Sequence, residues 1–195
     1  MSGAESGSKT SAAVYRIDSK RSRFIVRAFA GGMLSALGHN PTIAIRAFEG
    51  TAQFSPDTLE AASLKISIKA DSLTVTDEVS DKDRQEIERQ MREDVLETAK
   101  YPEIVFDSTR VTGEKIFPGQ YRVTINGNLS LHGVTRECAI PGQIVLSDDS
   151  LRANGEFTQL QTDYRIKLVS AAGGTIKLKD ELKFSFDIIA RKESA

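Results

Sequence analysis

The chain has 195 residues, 39% of them hydrophobic and 27% charged, with 26 basic against 27 acidic side chains. That composition excludes a disordered, fibrous or membrane-embedded chain, and the near-zero net charge gives no electrostatic reason to expect nucleic acid or an anionic membrane as a partner. One domain accommodates the length, since all-β barrels reach about 200 to 250 residues as a single unit.

Residues 1–13 are small and polar and read as a flexible tail, without the basic start and apolar stretch of a signal peptide. A chain beginning this way is expected in the cytoplasm, or in the periplasm if a leader has been removed. No run approaches the roughly 18 apolar residues of a transmembrane helix. From Val14 the pattern turns to strands: Phe24, Val26 and Ala28 share one face, with Arg23 and Arg27 on the other. Gly31-Gly32 opens a loop, and the stretch from Leu34 through His39-Asn40-Pro41 leaves room for a short turn of helix. Ile43, Ile45 and Ala47 then give way to Gly50, Ala52 and Phe54, a change of phase that predicts a bulge or bend near Phe48-Glu49. Ser55-Pro56-Asp57 supplies a turn, and Leu64, Ile66 and Ile68 alternate with Lys65, Ser67 and Lys69.

Between Asp77 and Thr98 the period changes. Ile87, Met91 and Val95 recur at fours among charged and amide residues, which predicts a helix near 81–98 capped by Ser80 or Asp81, with Pro102 preventing a long continuation. Ile104 and Phe106 resume strand alternation, Phe117-Pro118-Gly119-Gln120 makes a hairpin turn, and Tyr121, Val123, Ile125, Gly127, Leu129 and Leu131 keep one parity. Asn126-Gly127 would ordinarily signal a turn, yet unbroken parity favours one long strand with Gly127 facing inward. Strands follow over Thr135–Leu146, with a kink or bulge at Pro141-Gly142, and over Leu151–Leu160 with Phe157. Tyr164, Ile166 and Leu168 then alternate, Ala171–Gly174 is a break, and Ile176 and Leu178 precede a reversal at Lys179-Asp180. Leu182, Phe184, Phe186 and Ile188 complete the pattern. The fold expected over residues 14–192 is all-β: an extended antiparallel β-barrel of about eight strands with one helical insertion.

Three stretches in order, Phe48-Glu49-Gly50 ahead of Phe54, Ala99-Lys100-Tyr101-Pro102 running to Thr109, and Gly127 through His132-Gly133 to Arg136, make the chain resemble the YceI-like family of lipid-binding proteins over roughly Val14–Lys192. The resemblance implies a lipocalin-like barrel around a long apolar tunnel for a polyisoprenoid or similar long-chain amphiphile, with no catalytic residue to carry over. The chain departs from the family's common arrangement in its start and in the charged Asp77–Gln85 stretch.

Inner parity then nominates the ligand wall: Phe24, Val26, Leu64, Ile66, Ile104, Phe106, Tyr121, Val123, Ile125, Leu129, Phe157, Tyr164, Ile166, Phe184 and Phe186. Gly127 is expected to leave a gap in that wall, so that a bulky replacement impairs uptake before it unfolds the barrel. Periodicity alone reads the same for a filled barrel as for a hollow one, which keeps two other readings open: a packed structural or stress-response interaction domain, and an enzyme acting on a small lipid.

His39 and His132, the only histidines, are candidates for a headgroup contact at the barrel mouth. Two histidines fall short of the three protein ligands of a catalytic zinc site, and Cys138 has neither a disulfide partner nor zinc-site spacing, so no metal is expected. There is no GxSxG elbow, no Cys/His pair and no GxGxxG or Walker loop, and Ser130 and His132 lack a third triad member. No catalysis and no cofactor are therefore expected. Exposed sheet edges or the Met33-Leu34 loop could support a homodimer.

Overall fold

Alternation becomes curvature when strands with one apolar face close on each other, and that is how this chain buries its interior. The computed structural model describes residues 12–31, 40–56, 58–171 and 176–193. In chain order the strands are β1 (Ala13–Ile17), β2 (Arg23–Arg27), β3 (Ala30–Gly31), β4 (Thr42–Ile45), β5 (Phe48–Phe54), β6 (Ser63–Lys69) and β7 (Leu73–Val75). After the helix α1 (Asp81–Gln90) come β8 (Glu103–Phe117), β9 (Gln120–Leu131), β10 (Val134–Leu146), β11 (Ser150–Leu160), β12 (Ser170–Ala171), β13 (Ile176–Leu178) and β14 (Glu181–Lys192).

The hydrogen-bonded ring runs β1-β5-β6-β8-β9-β10-β11-β14 and returns to β1, a closed antiparallel barrel of eight strands. Three of its staves are bent. Along one edge of β14, Ala190–Lys192 pair with β1 and Lys183–Asp187 with β2, so β2 prolongs β1 after a turn. In the same way β4 adjoins β5 and β7 adjoins β6. The two inner bends are tied together: Ala47 N–H donates to Ser72 Oγ at 3.0 Å and Arg46 N–H to the Ser72 carbonyl at 3.3 Å. The phase shift expected near Phe48-Glu49 therefore falls at Arg46-Ala47, where β4 stops and β5 has not begun. Asn126-Gly127 makes no turn, and β9 pairs with β10 without a register break from Gln120 to Leu131.

Bending the β2-β4-β7 layer away from β8 opens a seam, and the helix covers it. Val75 N–H donates to Glu88 Oε1 at 3.0 Å, while Arg84 Nη1 donates to the Val75 carbonyl at 2.6 Å and Nη2 to the Asp77 carbonyl at 3.1 Å. These side chains take the place of a further strand at an edge that would otherwise recruit one. That removes β7 as an edge on which a second copy could pair; Met33-Leu34 lies outside the described residues. The N-cap is Ser80, whose hydroxyl accepts from the Asp83 N–H at 3.1 Å. Regular α-helix ends at Gln90 and continues as a wider π-turn over Met91–Val95. Left-handed Glu97 (φ 45°) ends the run short of the expected 98.

A second seam lies between β10 and β11, which pair only at Gln143–Leu146 with Leu151–Asn154. Pro141 has no N–H to continue the ladder, and the missing side chain of Gly155 leaves room for the Pro141 carbonyl. Pro141-Gly142 thus leaves β10 paired to β9 without a bulge and ends its pairing with β11 instead. Beyond that point Tyr164 fills the gap. The alternation expected of Tyr164, Ile166 and Leu168 is not a strand: Thr162–Tyr164 form a single 3₁₀ turn, Arg165 is left-handed (φ 57°), and Ile166–Val169 belong to no strand, the Val169 carbonyl accepting from the Leu178 N–H at 3.1 Å.

Candidate ligand cavity

Side chains of inner parity do not fill this barrel. Leu64, Ile104, Phe157, Phe184 and Phe186 point inward yet are only partly buried, because they front an open space. That space has two chambers. The first, about 110 Å³, lies inside β5, β6, β8, β9, β10 and β11, with Leu64, Ile66, Phe106, Ile125, Ile144 and Phe186 on its wall. The second, about 170 Å³, is closed by α1 and its π-turn through Ile87, Met91, Val95 and Leu96, opposite Val26, Ile43, Leu131, Ile166 and Phe184. An apolar cavity of about 150 Å³ holds a benzene-sized ligand, so each chamber takes a length of hydrocarbon.

Five residues belong to both walls: Phe24, Ile68, Ile104, Leu129 and Phe157. They form a waist. Phe157 stacks on Phe184 with ring centroids 4.8 Å apart, and Phe24 stands edge-on to Phe48, Phe184 and Phe186 at 6.2 to 6.4 Å. Among the described residues neither wall contains an Asp, Glu, Lys, Arg or His; the polar side chains on them are Gln53 and Ser63 in the first chamber and Gln90 and Gln161 in the second.

Most of the side chains nominated by parity do line these chambers: Phe24, Ile104, Leu129 and Phe157 at the waist; Leu64, Ile66, Phe106, Ile125 and Phe186 in the first; Val26, Ile166 and Phe184 in the second. Four do not. Tyr121 and Val123 are buried on the inner face of β9 but lie toward its end, where the Tyr121 ring meets Phe54 edge-on at 5.0 Å and its hydroxyl donates to the Pro56 carbonyl at 3.1 Å. Tyr164, fully buried, occupies the seam against β10, and burial pushes its phenol up to about 12. Burial likewise raises the thiol of Cys138, so this seam carries no charge at neutral pH from either group. Gly127 faces inward but is no gap: the Phe106 ring and the β8 backbone press directly onto it.

The parity reading missed the helix as a wall. Ile87, Met91 and Val95 are visible in the sequence at intervals of four, but nothing there says that their apolar stripe seals a hollow rather than packing on a filled core. Gln161 was also missed, although it shares the parity of Phe157.

His132 lines neither chamber, which corrects its expected place at a headgroup. It sits with Gly133 in the tight β9–β10 turn, both left-handed (φ 51° and 72°). Its Nδ1 donates to the Tyr164 carbonyl at 3.1 Å, and its Nε2 lies 2.7 Å from Glu97 Oε2. The Tyr101 ring lies 4.6 Å from the imidazole and covers Gly133. Two of the three stretches that carry the family resemblance thus meet in space, tying the helix end, the turn and the seam together. His132→Asn tolerates the left-handed backbone but leaves one of these partners unbonded, so a loss of about 2 kcal/mol is expected in urea unfolding; a midpoint equal to that of the parent would deny His132 this role. His39 lies outside the described residues. Among them, no three His, Cys, Asp or Glu are grouped to hold a metal ion, and no helix is long and apolar enough to cross a membrane.

Comparison with known proteins gives the same picture. Residues 15–190 match the model of the YceI-like domain. A UPF0312 protein of Azotobacter vinelandii is 31% identical over 156 residues, covering 78% of this chain and 69% of its own. One of Pseudomonas savastanoi pv. phaseolicola is 32% identical over 153 residues, covering 74% and 71%. Among solved structures, Burkholderia cenocepacia BcnA superposes with a TM-score of 0.68 at 15% identity over 89% of this chain and 98% of its own. A polyisoprenoid binding domain from Saccharophagus degradans gives 0.67 at 15% identity over 93% and 99%. At such identities the likeness is one of fold.

Proposed function

From the premise that this chain belongs to the YceI-like family, as its match over residues 15–190 shows, we propose that it binds a long-chain apolar amphiphile of isoprenoid type along its two chambers, for storage or transfer rather than turnover. The observation that carries the reading is the wall itself: two adjoining chambers that share five apolar residues and, among the described residues, present no charged side chain. Support also comes from the similarly folded Saccharophagus degradans domain, which is named for polyisoprenoid binding.

Hydrophobic transfer supplies the affinity. Burying about 500 Å² of tail at about 25 cal/mol per Å² is worth about 12 kcal/mol, which outweighs the several kcal/mol of freedom lost on association without any charged anchor. The Phe24, Phe157, Phe184 and Phe186 rings give flat apolar surfaces against which a branched tail can lie. Among the described residues the walls hold no nucleophile beside a base, which supports binding over turnover. Non-denaturing mass spectrometry of the full chain with geranylgeraniol is expected to show one added molecule per protein. Folded protein that takes up neither this alcohol nor isoprenoids of other lengths would sink the proposal and favour a packed interaction domain.

A further inference from the structure

Among the described residues Gln161 is the one polar side chain on either wall that is buried, with 4% of its surface exposed. Its position is set by backbone bonds on three sides. Gln161 N–H donates to the Asp180 carbonyl at 3.0 Å, and its own carbonyl accepts from the Tyr164 and Ile166 N–H groups at 3.0 and 3.2 Å. The next residue is pinned as well, by Thr162 N–H donating to Asp180 Oδ1 at 2.9 Å and by the Thr162 hydroxyl on Oδ2.

The orientation of the amide follows from its partner. Gln161 Nε2 donates to the Lys179 carbonyl at 2.9 Å, and a carbonyl receives only a donor, so the two ends of the amide cannot be exchanged. The acceptor, Oε1, is left over. It makes no hydrogen bond among the described residues, and no fully occluded polar side-chain atom among them lacks a partner, so Oε1 borders open space. A buried amide oxygen held in place on an apolar wall is a site waiting for a donor.

On these grounds we propose that Gln161 Oε1 is the headgroup contact of the second chamber, accepting a hydrogen bond from an uncharged donor, a hydroxyl or primary amide, at the end of a long apolar ligand. The inference rests on the lipid-binding reading above and adds a headgroup class to it. An anionic head such as a carboxylate or phosphate would set its charge against a carbonyl oxygen on walls that, among the described residues, offer no Lys, Arg or His, and a cationic head would find no carboxylate among them. The position suits the length of such a ligand. Leu151 and Ala153 of β11 line the first chamber, Phe157 the waist, and Gln161, just past the strand's end, the second. Ten residues of strand, tilted as barrel strands are, span about 25 Å along the axis. A ligand anchored at Gln161 thus lays its tail through the waist into the first chamber.

The test compares two probes with the same tail, geranylgeraniol and its methyl ether, by titration calorimetry against the full chain. The unaltered protein is expected to prefer the alcohol by roughly tenfold, the worth of one hydrogen bond from a donor the ether lacks. In Gln161→Met, of similar length but without the amide, the ratio is expected to fall to about one. Equal binding of the two probes by the unaltered protein would overturn the headgroup assignment while leaving lipid binding intact, and needs no variant that must fold. A preference that survives in Gln161→Met would overturn it too. If neither probe binds, it is the lipid-binding reading that fails.

Discussion

Replacing Gly127 with alanine is expected to destabilise the barrel by roughly 3 kcal/mol or more, near the upper end for a single substitution. A β-carbon built there comes within 2.5 Å of the Asp107 carbonyl, 2.6 Å of Phe106 Cζ and 2.8 Å of Ser108 Cα. Two of those three neighbours are backbone of β8, which cannot give way without breaking the ladder to β9. The register between these strands already slips between Ser108 and Arg110, opposite Gly127 and Asn126, and the bulge brings the backbones together. The sequence suggested the opposite order of effects, with uptake failing before stability, because inward parity cannot tell a hole from a tight crossing. Gly142→Ala is the fitting control: its β-carbon would meet the Asn154 carbonyl at 3.1 Å and otherwise find ordinary contact, so a much smaller loss is expected. Urea unfolding of both variants beside the parent measures the difference, and a Gly127→Ala protein as stable as the parent would contradict the crossing.

Filling the waist should separate long ligands from short ones. Ile104 lines both chambers, stands opposite Ile68 in the β6–β8 ladder and is only partly buried, so a larger side chain has somewhere to go. With Ile104→Trp the passage between chambers is expected to close. A twenty-carbon isoprenoid alcohol then loses about 120 Å² of apolar contact in the first chamber, about 3 kcal/mol, or roughly a hundredfold in affinity. A ten-carbon alcohol, short enough for the second chamber alone, is expected to stay within a few fold. Titration of both alcohols against the variant decides the matter, with circular dichroism to establish that it folds. Undiminished affinity for the long alcohol would mean that tails do not run through the waist.

The sequence made the barrel readable wherever a strand kept its own parity. Tyr121 to Leu131 alternates over the whole of β9, and Leu64-Ile66 and Ile104-Phe106 do the same on β6 and β8, which is why twelve of the sixteen nominated residues stand on a chamber wall. What alternation could not carry was depth along the barrel. Tyr121 and Val123 have the same parity as Ile125, yet only Ile125 reaches the hollow; the difference depends on Phe54 and Pro56, more than sixty residues earlier in the chain. Tyr164 imitated a strand because Ile166 and Leu168 follow it at twos, while its true conformation depends on Arg165 entering the left-handed region. The second chamber was hidden for a similar reason: its walls come from the helix, the bent staves and the segment after β11, and no local pattern joins them.

The closing strand has a further consequence, for how the molecule reaches this state. β14 bonds to β11 along one edge and to both β2 and β1 along the other, and the Arg16–Glu193 ion pair beside it spans 177 residues of chain. During synthesis β1 and β2 emerge well before β14, so early strands must wait with unsatisfied edges until the ring can shut. Such long-range pairing makes folding slow, and each waiting edge can recruit a strand from a neighbouring chain. The same apolar faces that later surround a ligand are open to aggregation during that interval, which makes closure by β14 the step on which the yield of folded protein depends.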